Sequence, residues 1–456
     1  MNLPPKHILS KSTFLYGCQC PLRLWLHKYQ PALKDPVDEE QKQVFQQGTD
    51  LGMLARNLFP GGVDASPPDY FQFALSVKKT AEYIAAGKTI IYEAAFQFNG
   101  LLCAIDILVK QSDGWYAYEV KGSTKVKPVF IQDAAFQYYV ITGAGLELQQ
   151  MSLIYLNNQY IRKGTLQLEQ LFTTAAITME VRELSGFIQQ KSNELLQVVA
   201  NKLLAPSIAP GDQCSKPYTC DFFTHCNGVK ETAIEIPPEP IIQKEKIREW
   251  LGSIRYPVYY MDFETWTDAV PPVDGCWPYR QVCFQYSVQV EQHPGASPQE
   301  FTYLAESKTT PIIDFIKNLL QVLGSEGSIV VYNASFERSR LLEFSKDDPS
   351  LQETINAIIT RMIDLMDVFR NKYYYLPGMG DSYSIKWVLP AIFPDMKYDD
   401  LVITNGMDAA IAFQHLAVET DTTKMAAIQF ALQTYCALDT QAMFNITQHL
   451  QKLLED

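Results

Sequence analysis

Four acids and a phenol in the C-terminal half of the chain have the types and spacing of a cation-binding centre. Asp262 and Glu264 end the run Val258-Tyr259-Tyr260-Met261-Asp262-Phe263-Glu264-Thr265. On a strand, residues two apart share a face, so both carboxylates project the same way. The stretch Val330-Val331-Tyr332-Asn333-Ala334-Ser335-Phe336-Glu337 reads as a buried strand passing into a helix, with Glu337 on its first turn. Tyr435 and Asp439 stand four apart, on one helix face. Carboxylates grouped in this way bind hard divalent cations through oxygen. Two such cations clamp the attacking and leaving oxygens of a phosphate ester. An acidic pair at a strand end is often plain solvated charge, and the two later segments are what favour cation binding.

A second constellation precedes it. Asp106 interrupts the apolar run Leu101 to Val109, and Glu119-Val120-Lys121 follows thirteen residues on. A carboxylate in a mostly buried strand is costly without a charged partner. Glu119 and Lys121 are expected on one face and Val120 toward the core. Two carboxylates on neighbouring strands offer oxygen ligands to a divalent ion, and a lysine beside them can orient water or stabilise charge on phosphate. Taken alone, the pattern also describes a surface hairpin with an ordinary Glu–Lys pair. Glu93 is a further ligand candidate. Cys214, Cys220 and Cys226 then supply three thiols in thirteen residues around Pro217. With a fourth soft ligand they would suit zinc or an iron–sulfur cluster, and spacing alone leans to zinc. Cys103, Cys276, Cys283 and Cys436 read as small buried hydrophobes.

These residues need elements to hold them. Thr89 to Phe96, Leu101 to Val109, Trp115 to Val120 and Met151 to Leu156 read as strands, and Phe130 to Val140 as a helix. A long helix is expected from about Thr173 to Leu204. Further on, Val258 to Phe263, Gln281 to Val290 and Ile329 to Tyr332 read as strands, and Thr423 to Leu454 as a final helix. Three prolines in Pro237-Pro238-Glu239-Pro240 mark a semi-rigid connector. The expected organisation is α/β in two domains, 1–232 and 242–456, joined by a Pro-rich linker at 233–241. The 456 residues, 47% hydrophobic and 20% charged, suit two cores and exclude a disordered or coiled-coil chain. No apolar run is long enough to span a bilayer, and residues 1–7 lack the hydrophobic core of a signal peptide, so a cytoplasmic protein without membrane partners is expected. Residues 1–240 carry 21 Lys and Arg against 23 Asp and Glu, and residues 241–456 carry 17 against 28. A bulk positive field is therefore excluded as the attractor of a polyanion, which leaves local basic groups and bound cations.

The first half resembles PD-(D/E)XK nucleases of the RecB type, especially the CRISPR-associated adaptation nucleases. The matching pieces are Leu9-Ser10-Lys11-Ser12 through Cys20-Pro21-Leu22-Arg23-Leu24-Trp25, Asp106, Glu119-Val120-Lys121 and the helix Asp133 to Tyr139. The resemblance implies a restriction-endonuclease-like fold, Asp106 and Glu119 as metal ligands, and Lys121 and Gln137 as catalytic partners. It also implies a 4Fe–4S cluster held by Cys20, Cys214, Cys220 and Cys226, with Cys18 the fallback for Cys20. The second half resembles DEDD exonucleases of the RNase H-like fold. That likeness makes Asp262, Glu264, Glu337 and Asp439 ligands of two Mg²⁺ or Mn²⁺ ions, with Tyr435 positioning water. The layout as a whole looks like bacterial fusions of these two modules, the second a domain of unknown function.

The function so implied is a metal-dependent nuclease acting on DNA, single-stranded or with free ends, one site cutting and the other trimming from a 3′ end. Lys386, Arg338 and Arg340 are candidates to contact phosphates, and Tyr373-Tyr374-Tyr375 to stack bases. Three departures from the family patterns are visible. The Gly48 to Arg56 region has no histidine, the helix after Lys121 lacks the usual glutamine-to-tyrosine spacing, and Glu337 stands where Asp is usual. The missing histidine and Glu337 motivate an alternative, a non-catalytic nucleic-acid clamp in which one or both sites have decayed. A third reading makes RNA the substrate of the second half, since nothing in the sequence senses a 2′-hydroxyl.

Overall fold

The computed structural model describes residues 7–37, 39–69, 72–228, 237, 239–306 and 312–455. The chain is mixed α/β and divides into two compact units, residues 1–160 with 165–230, and residues 161–164 with 231–456. Most of the expected linker at 233–241 lies outside the described residues. Ile241, at its end, begins a two-residue strand paired with Tyr374–Tyr375. Among the described residues no helix is long and apolar enough to cross a membrane.

The first unit is built on one sheet. Strands β1 (Ile90–Phe98), β2 (Leu101–Gln111) and β3 (Gly114–Lys121) run antiparallel in sequence order. Asn99 and Gly100 turn β1 into β2 with φ of 47° and 78°, the left-handed pair a two-residue hairpin requires. Strand β4 (Leu148–Leu156) lies parallel to β3, which demands a crossover, and helix α3 (Pro128–Gly143) supplies it. Helices α1 (Lys11–Gln19) and α2 (Pro21–Tyr29) come before the sheet, and α4 (Ser185–Ala200) after it. Phe14, Ile105, Phe136, Val140, Leu153 and Ile188 belong to one core in which α1, α3 and α4 meet the sheet.

The expected helix from Thr173 to Leu204 is not continuous. Phe172–Ala176 forms strand β5, antiparallel to β4, before a short helix at Thr178–Glu183 and then α4. Phe172, Thr173 and Thr174 are aromatic and β-branched residues that suit an edge strand. The helix also stops at Ala200, and Leu204 is solvent-exposed.

The second unit carries a five-stranded sheet. Strand β6 (Val258–Trp266) is central, antiparallel to β7 (Val282–Glu291), which is antiparallel to β8 (Gln299–Leu304). On its other side β6 lies parallel to β9 (Ser328–Val331), itself parallel to β10 (Met362–Asp364). Helix α5 (Ala334–Asp347) leaves β9, and helices α6 (Ile385–Ile392), α7 (Gly406–Leu416) and α8 (Thr422–Glu455) follow β10.

The period of two along β6 sorts its side chains. Tyr259, Met261 and Phe263 pack in one hydrophobic cluster with Val288 and Phe344. Val258 and Tyr260 pack in another with Leu432, Met443 and Ile446 of α8. Asp262 and Glu264 continue the second face, so the alternation that buries Tyr260 carries both acids to the side of α8. Where β6 reaches Glu264, the β6–β7 register shifts by one residue between Cys283 and Gln285.

Candidate metal centres

In the second unit, β6 and α8 bring Asp262, Glu264 and Cys436 together with one donor atom each inside 4.8 Å of the others. Cys436 Sγ lies 4.0 Å from Asp262 Oδ2. Asp439 is three residues on along α8, on the same helix face, and Glu337 comes from the first turn of α5. All four acids lie within electrostatic reach of one another. Burial, then Asp439, Glu264 and Glu337, raise the Asp262 carboxyl well above the usual range. Burial and Asp439 push Glu264 up to about 8 against the pull of Lys386. Glu337 is pushed up to about 8 by burial, with Asp364 and Asp439 adding to it and its own backbone opposing. Burial lifts Asp439 to about 6, while Tyr398 and Lys386 hold it back. Glu337 is 1% exposed, and its Oε2 has no hydrogen-bond partner among the described residues. Tyr435 is buried beside Asp262, Glu264 and Asp439, and burial first, then those acids, keep its phenol protonated.

Three neighbours complete this centre, and sequence reading gave them no part in it. Tyr398 donates its hydroxyl to Asp439 Oδ1. Asp364 accepts from the backbone N–H groups of Asn333 (3.0 Å) and Ala334 (3.1 Å), capping the N-terminus of α5 and so setting where Glu337 starts. Asn333 bends the chain there with a φ of 74°. Cys436, read as a small hydrophobe, is buried but faces the carboxylates; its spacing of three from Asp439 was the available signal.

Of the phosphate candidates, Lys386 reaches this centre, 5.7 Å from the Tyr398 ring and 5.8 Å from the Tyr435 ring, and it donates to Thr404 O at 2.7 Å. Arg340 is engaged by Glu343 at 2.7 Å and by Gln281, and Arg338 is exposed. The proposed stacking run does not present a platform. Tyr374 and Tyr375 are core residues, and the Tyr374 hydroxyl meets His449 at 2.9 Å.

In the first unit, β2, β3 and α3 gather Asp106, Glu119, Lys121 and Gln137. Asp106 Oδ2 accepts from the Val120 backbone N–H at 2.6 Å. Glu119 Oε1 accepts from Lys121 at 2.8 Å and from Lys11 of α1 at 2.6 Å, and Oε2 accepts from Gln137 Nε2 at 2.6 Å. Lys121 also contacts Asp133, which lies 3.7 Å from Lys11. Lys11 and Asp133 thus join the site, although the sequence marks them only as parts of matching segments and assigns them no role. Asp133 stands one turn before Gln137, a spacing that could have flagged it.

The expected facing of β3 is inverted: Glu119 is 2% exposed, and Val120 is only half-buried. Strand β3 lies between β2 and β4, and α1 and α3 supply the polar partners that make burial of the glutamate tolerable. Glu119 is lowered to about 2, since Lys11 and Lys121 outweigh its burial. Asp106 is less well compensated: burial, Glu119 and Glu93 raise it well above the usual range against the pull of Lys11 and the Val120 N–H. Glu93 stands opposite Asp106 with a φ of 51° and pairs with Arg56 at 3.1 Å.

The cysteine loop docks on α1 and α2. Gln19 donates to Gln213 O and Tyr218 O at 2.7 Å, and Asp221 takes Arg23 and Lys34, each at 2.7 Å. Cys20 acts electrostatically on Cys220 and Cys226, and Cys214 on Cys226. No three of these sulfurs close to within 4.8 Å. Cys18 instead packs on the main core, and burial pushes its thiol up to about 12.

A family model described as a domain of unknown function (DUF2779) matches residues 259–384. That span includes Asp262, Glu264, Glu337 and Asp364 and stops short of Tyr435 and Asp439. An uncharacterized protein of Mycoplasma pneumoniae is 30% identical over 205 residues, 41% of this chain and 31% of that protein. One of Mycoplasma genitalium is 25% identical over 228 residues, 46% of this chain and 34% of that protein. One of Ureaplasma parvum is 28% identical over 226 residues, covering 43% and 31%. The chain spans about a third of the length of these relatives.

Proposed function

We propose that this protein is a metal-dependent nuclease acting on DNA, with a 3′–5′ exonuclease-like centre in the second unit and a RecB-like centre in the first. One observation carries the reading: Glu264, Glu337 and Asp439 are buried and Asp262 half-buried within electrostatic reach of one another, and among the described residues Lys386 is the one cation that pulls on Glu264 and Asp439. Such a cluster is either protonated or neutralised by cations, and its carboxylate oxygens suit Mg²⁺ or Mn²⁺. The orphaned Glu337 Oε2 fits a missing positive partner. Bound there, a divalent ion supplies charge neutralisation for a phosphodiester. The chain's own part is to keep the Tyr435 phenol protonated beside the acids and to hold Lys386 over it.

The strand orders support the fold readings. Three antiparallel strands with two parallel ones across the first suit an RNase H-like unit, and a three-stranded antiparallel run followed by a crossover helix and a parallel strand suits a PD-(D/E)XK unit. For the cysteines, Cys20, Cys214, Cys220 and Cys226 would hold the cofactor. Around one zinc ion thiolates sit about 2.3 Å from the metal. Sulfurs that do not close to 4.8 Å in threes suit the larger 4Fe–4S cluster, and zinc is the alternative. Cysteines held as thiols or as cluster ligands suit the cytoplasm.

The clamp reading has an observation of its own, for the first unit alone. Glu119 already accepts from Lys11, Lys121 and Gln137, so its charge is balanced without a cation. Incubation with 5′-labelled single-stranded DNA and Mn²⁺ separates the readings. Degradation lost in Asp262→Ala assigns the second unit, and loss in Lys121→Ala assigns the first. Tight binding without cleavage under any metal overturns the nuclease, and cleavage of RNA alone would redirect it.

A further inference from the structure

Four cysteines lie outside the cluster loop and away from Cys18, and three behave alike. Cys103, Cys276 and Cys283 each belong to a hydrophobic cluster. Cys436 is as deeply buried yet belongs to neither hydrophobic cluster of its own unit. It stands on α8 three residues before Asp439, with its sulfur 4.0 Å from Asp262 Oδ2 and inside 4.8 Å of the donor oxygens of both Asp262 and Glu264. An apolar filler has no reason to sit against two carboxylates, because a thiol is a poor substitute for the water or cation they need. A second observation, in the same acid cluster, points to a missing positive partner. Glu337, 1% exposed and electrostatically coupled to Asp262 and Asp439, leaves its Oε2 without a hydrogen-bond partner among the described residues.

We infer that Cys436 is a donor atom of the second unit's cation centre, which makes it a mixed oxygen–sulfur site that takes a soft or borderline divalent ion, of the zinc or cadmium class, in preference to magnesium. Thiolate sulfur favours such ions, whereas magnesium takes oxygen almost exclusively. On binding, the S–H bond breaks, its proton goes to the buffer, and the sulfur lone pair joins the ion. The inference rests on the proposal that these acids form a cation centre, and it adds which ions that centre prefers.

Cadmium is the probe, because a cadmium–thiolate bond absorbs in the ultraviolet and carboxylates do not. The full chain, stripped by chelator, is titrated with Cd²⁺ and followed by absorbance and by equilibrium dialysis. The cysteine loop also takes cadmium, so the readout is the difference between wild type and Cys436→Ser. The expected result is one fewer Cd²⁺ bound and a one-thiolate loss of absorbance in Cys436→Ser. In Asp262→Asn, which keeps the thiol, the same equivalent should weaken about tenfold or more. Isotherms identical in wild type, Cys436→Ser and Asp262→Asn overturn the inference. Should Cys436→Ser fail to fold by circular dichroism, Asp262→Asn decides alone: an unweakened equivalent overturns it. Cleavage supported by Mg²⁺ with no cadmium difference leaves the nuclease standing and removes the thiol. A cadmium difference in a protein that cleaves nothing keeps the mixed site and removes the nuclease.

Discussion

Glu119 and Glu264 are both glutamates on strands of mixed sheets, 2% and 6% exposed, yet their carboxyls are driven in opposite directions, to about 2 and to about 8. The difference lies in what the surrounding helices bring. Around Glu119, α1 contributes Lys11 and β3 contributes Lys121, and the two lysines share Glu119 and Asp133. Around Glu264, α5 and α8 contribute further acids, with Lys386 the one cation that pulls the other way. Burial raises both carboxylates, so the difference in sign is set by neighbours. A site that carries its own counter-charges is stable without ligands. A site that lacks them stores repulsion that protons or cations must relieve.

This contrast is broken most forcefully by exchanging each acid for its amide. Glu119→Gln leaves two lysines with Asp133 alone, and a loss of about 3 kcal/mol in stability is expected. Asp262→Asn removes repulsion instead, and the metal-free chain should gain about 1 kcal/mol at pH 8. Cleavage by the second unit should fall at least about a hundredfold in the same variant. Chemical denaturation of both variants with chelator present reads the signs. Equal destabilisation in the two would show that the acids of the second unit are compensated after all.

Titration offers a second test. Carboxyls with raised folded-state values bind protons more tightly when folded, so their contribution is fully present below their ordinary value and is lost as pH climbs toward 8 for Glu264 and Glu337. Glu119 runs the other way, contributing above its ordinary value and losing that contribution as pH falls toward about 2. Metal-free protein should therefore lose stability from about pH 5 to pH 8, and Mn²⁺ should raise the thermal midpoint more at pH 8 than at pH 5.5, since protons compete for the same oxygens. A midpoint shift independent of pH would remove the repulsion argument.

A smaller effect isolates the counter-charge itself. Lys11→Met leaves Lys121 to hold Glu119 alone, with an expected loss of about 2 kcal/mol, the worth of one hydrogen bond between charged groups. Lys11→Arg should recover most of it. No loss in Lys11→Met would mean that Lys121 alone balances the pair.

The same contrast explains what could be read from the chain. Hydrophobic runs announced the strands that carry Asp106, Glu119, Asp262 and Glu264, and i+2 and i+4 spacings announced which acids share a face. The partners that decide their charge state were hidden, because they arrive from distant segments. Lys11 meets Glu119 from 108 residues away, and Tyr398 meets Asp439 across 41. Neither distance leaves a local periodicity. The edge strand at Phe172–Ala176 was missed for a related reason, since five residues beside a helical run are claimed by whichever neighbour offers a hydrogen-bonding edge. The burial of Glu119 over Val120 was likewise decided by α1 and α3, which no property of β3 itself encodes.

The smallest expected effect tests how the second centre is aimed. Asp364 holds the Asn333 and Ala334 N–H groups through both carboxylate oxygens and also accepts from Met366 N at 3.0 Å. Asp364→Asn keeps the size but replaces one acceptor oxygen by a donor, which faces an N–H group that it cannot satisfy. A cost of about 1 kcal/mol, typical of a lost helix cap, should follow. Because Glu337 lies three residues into the helix that Asp364 starts, the substitution should also weaken Mn²⁺ binding severalfold while Glu337 itself stays intact. Asp364→Ser, which retains one acceptor, should fall between wild type and the amide in both measurements. If stability drops and Mn²⁺ affinity does not, the cap supports the helix without setting the ligand.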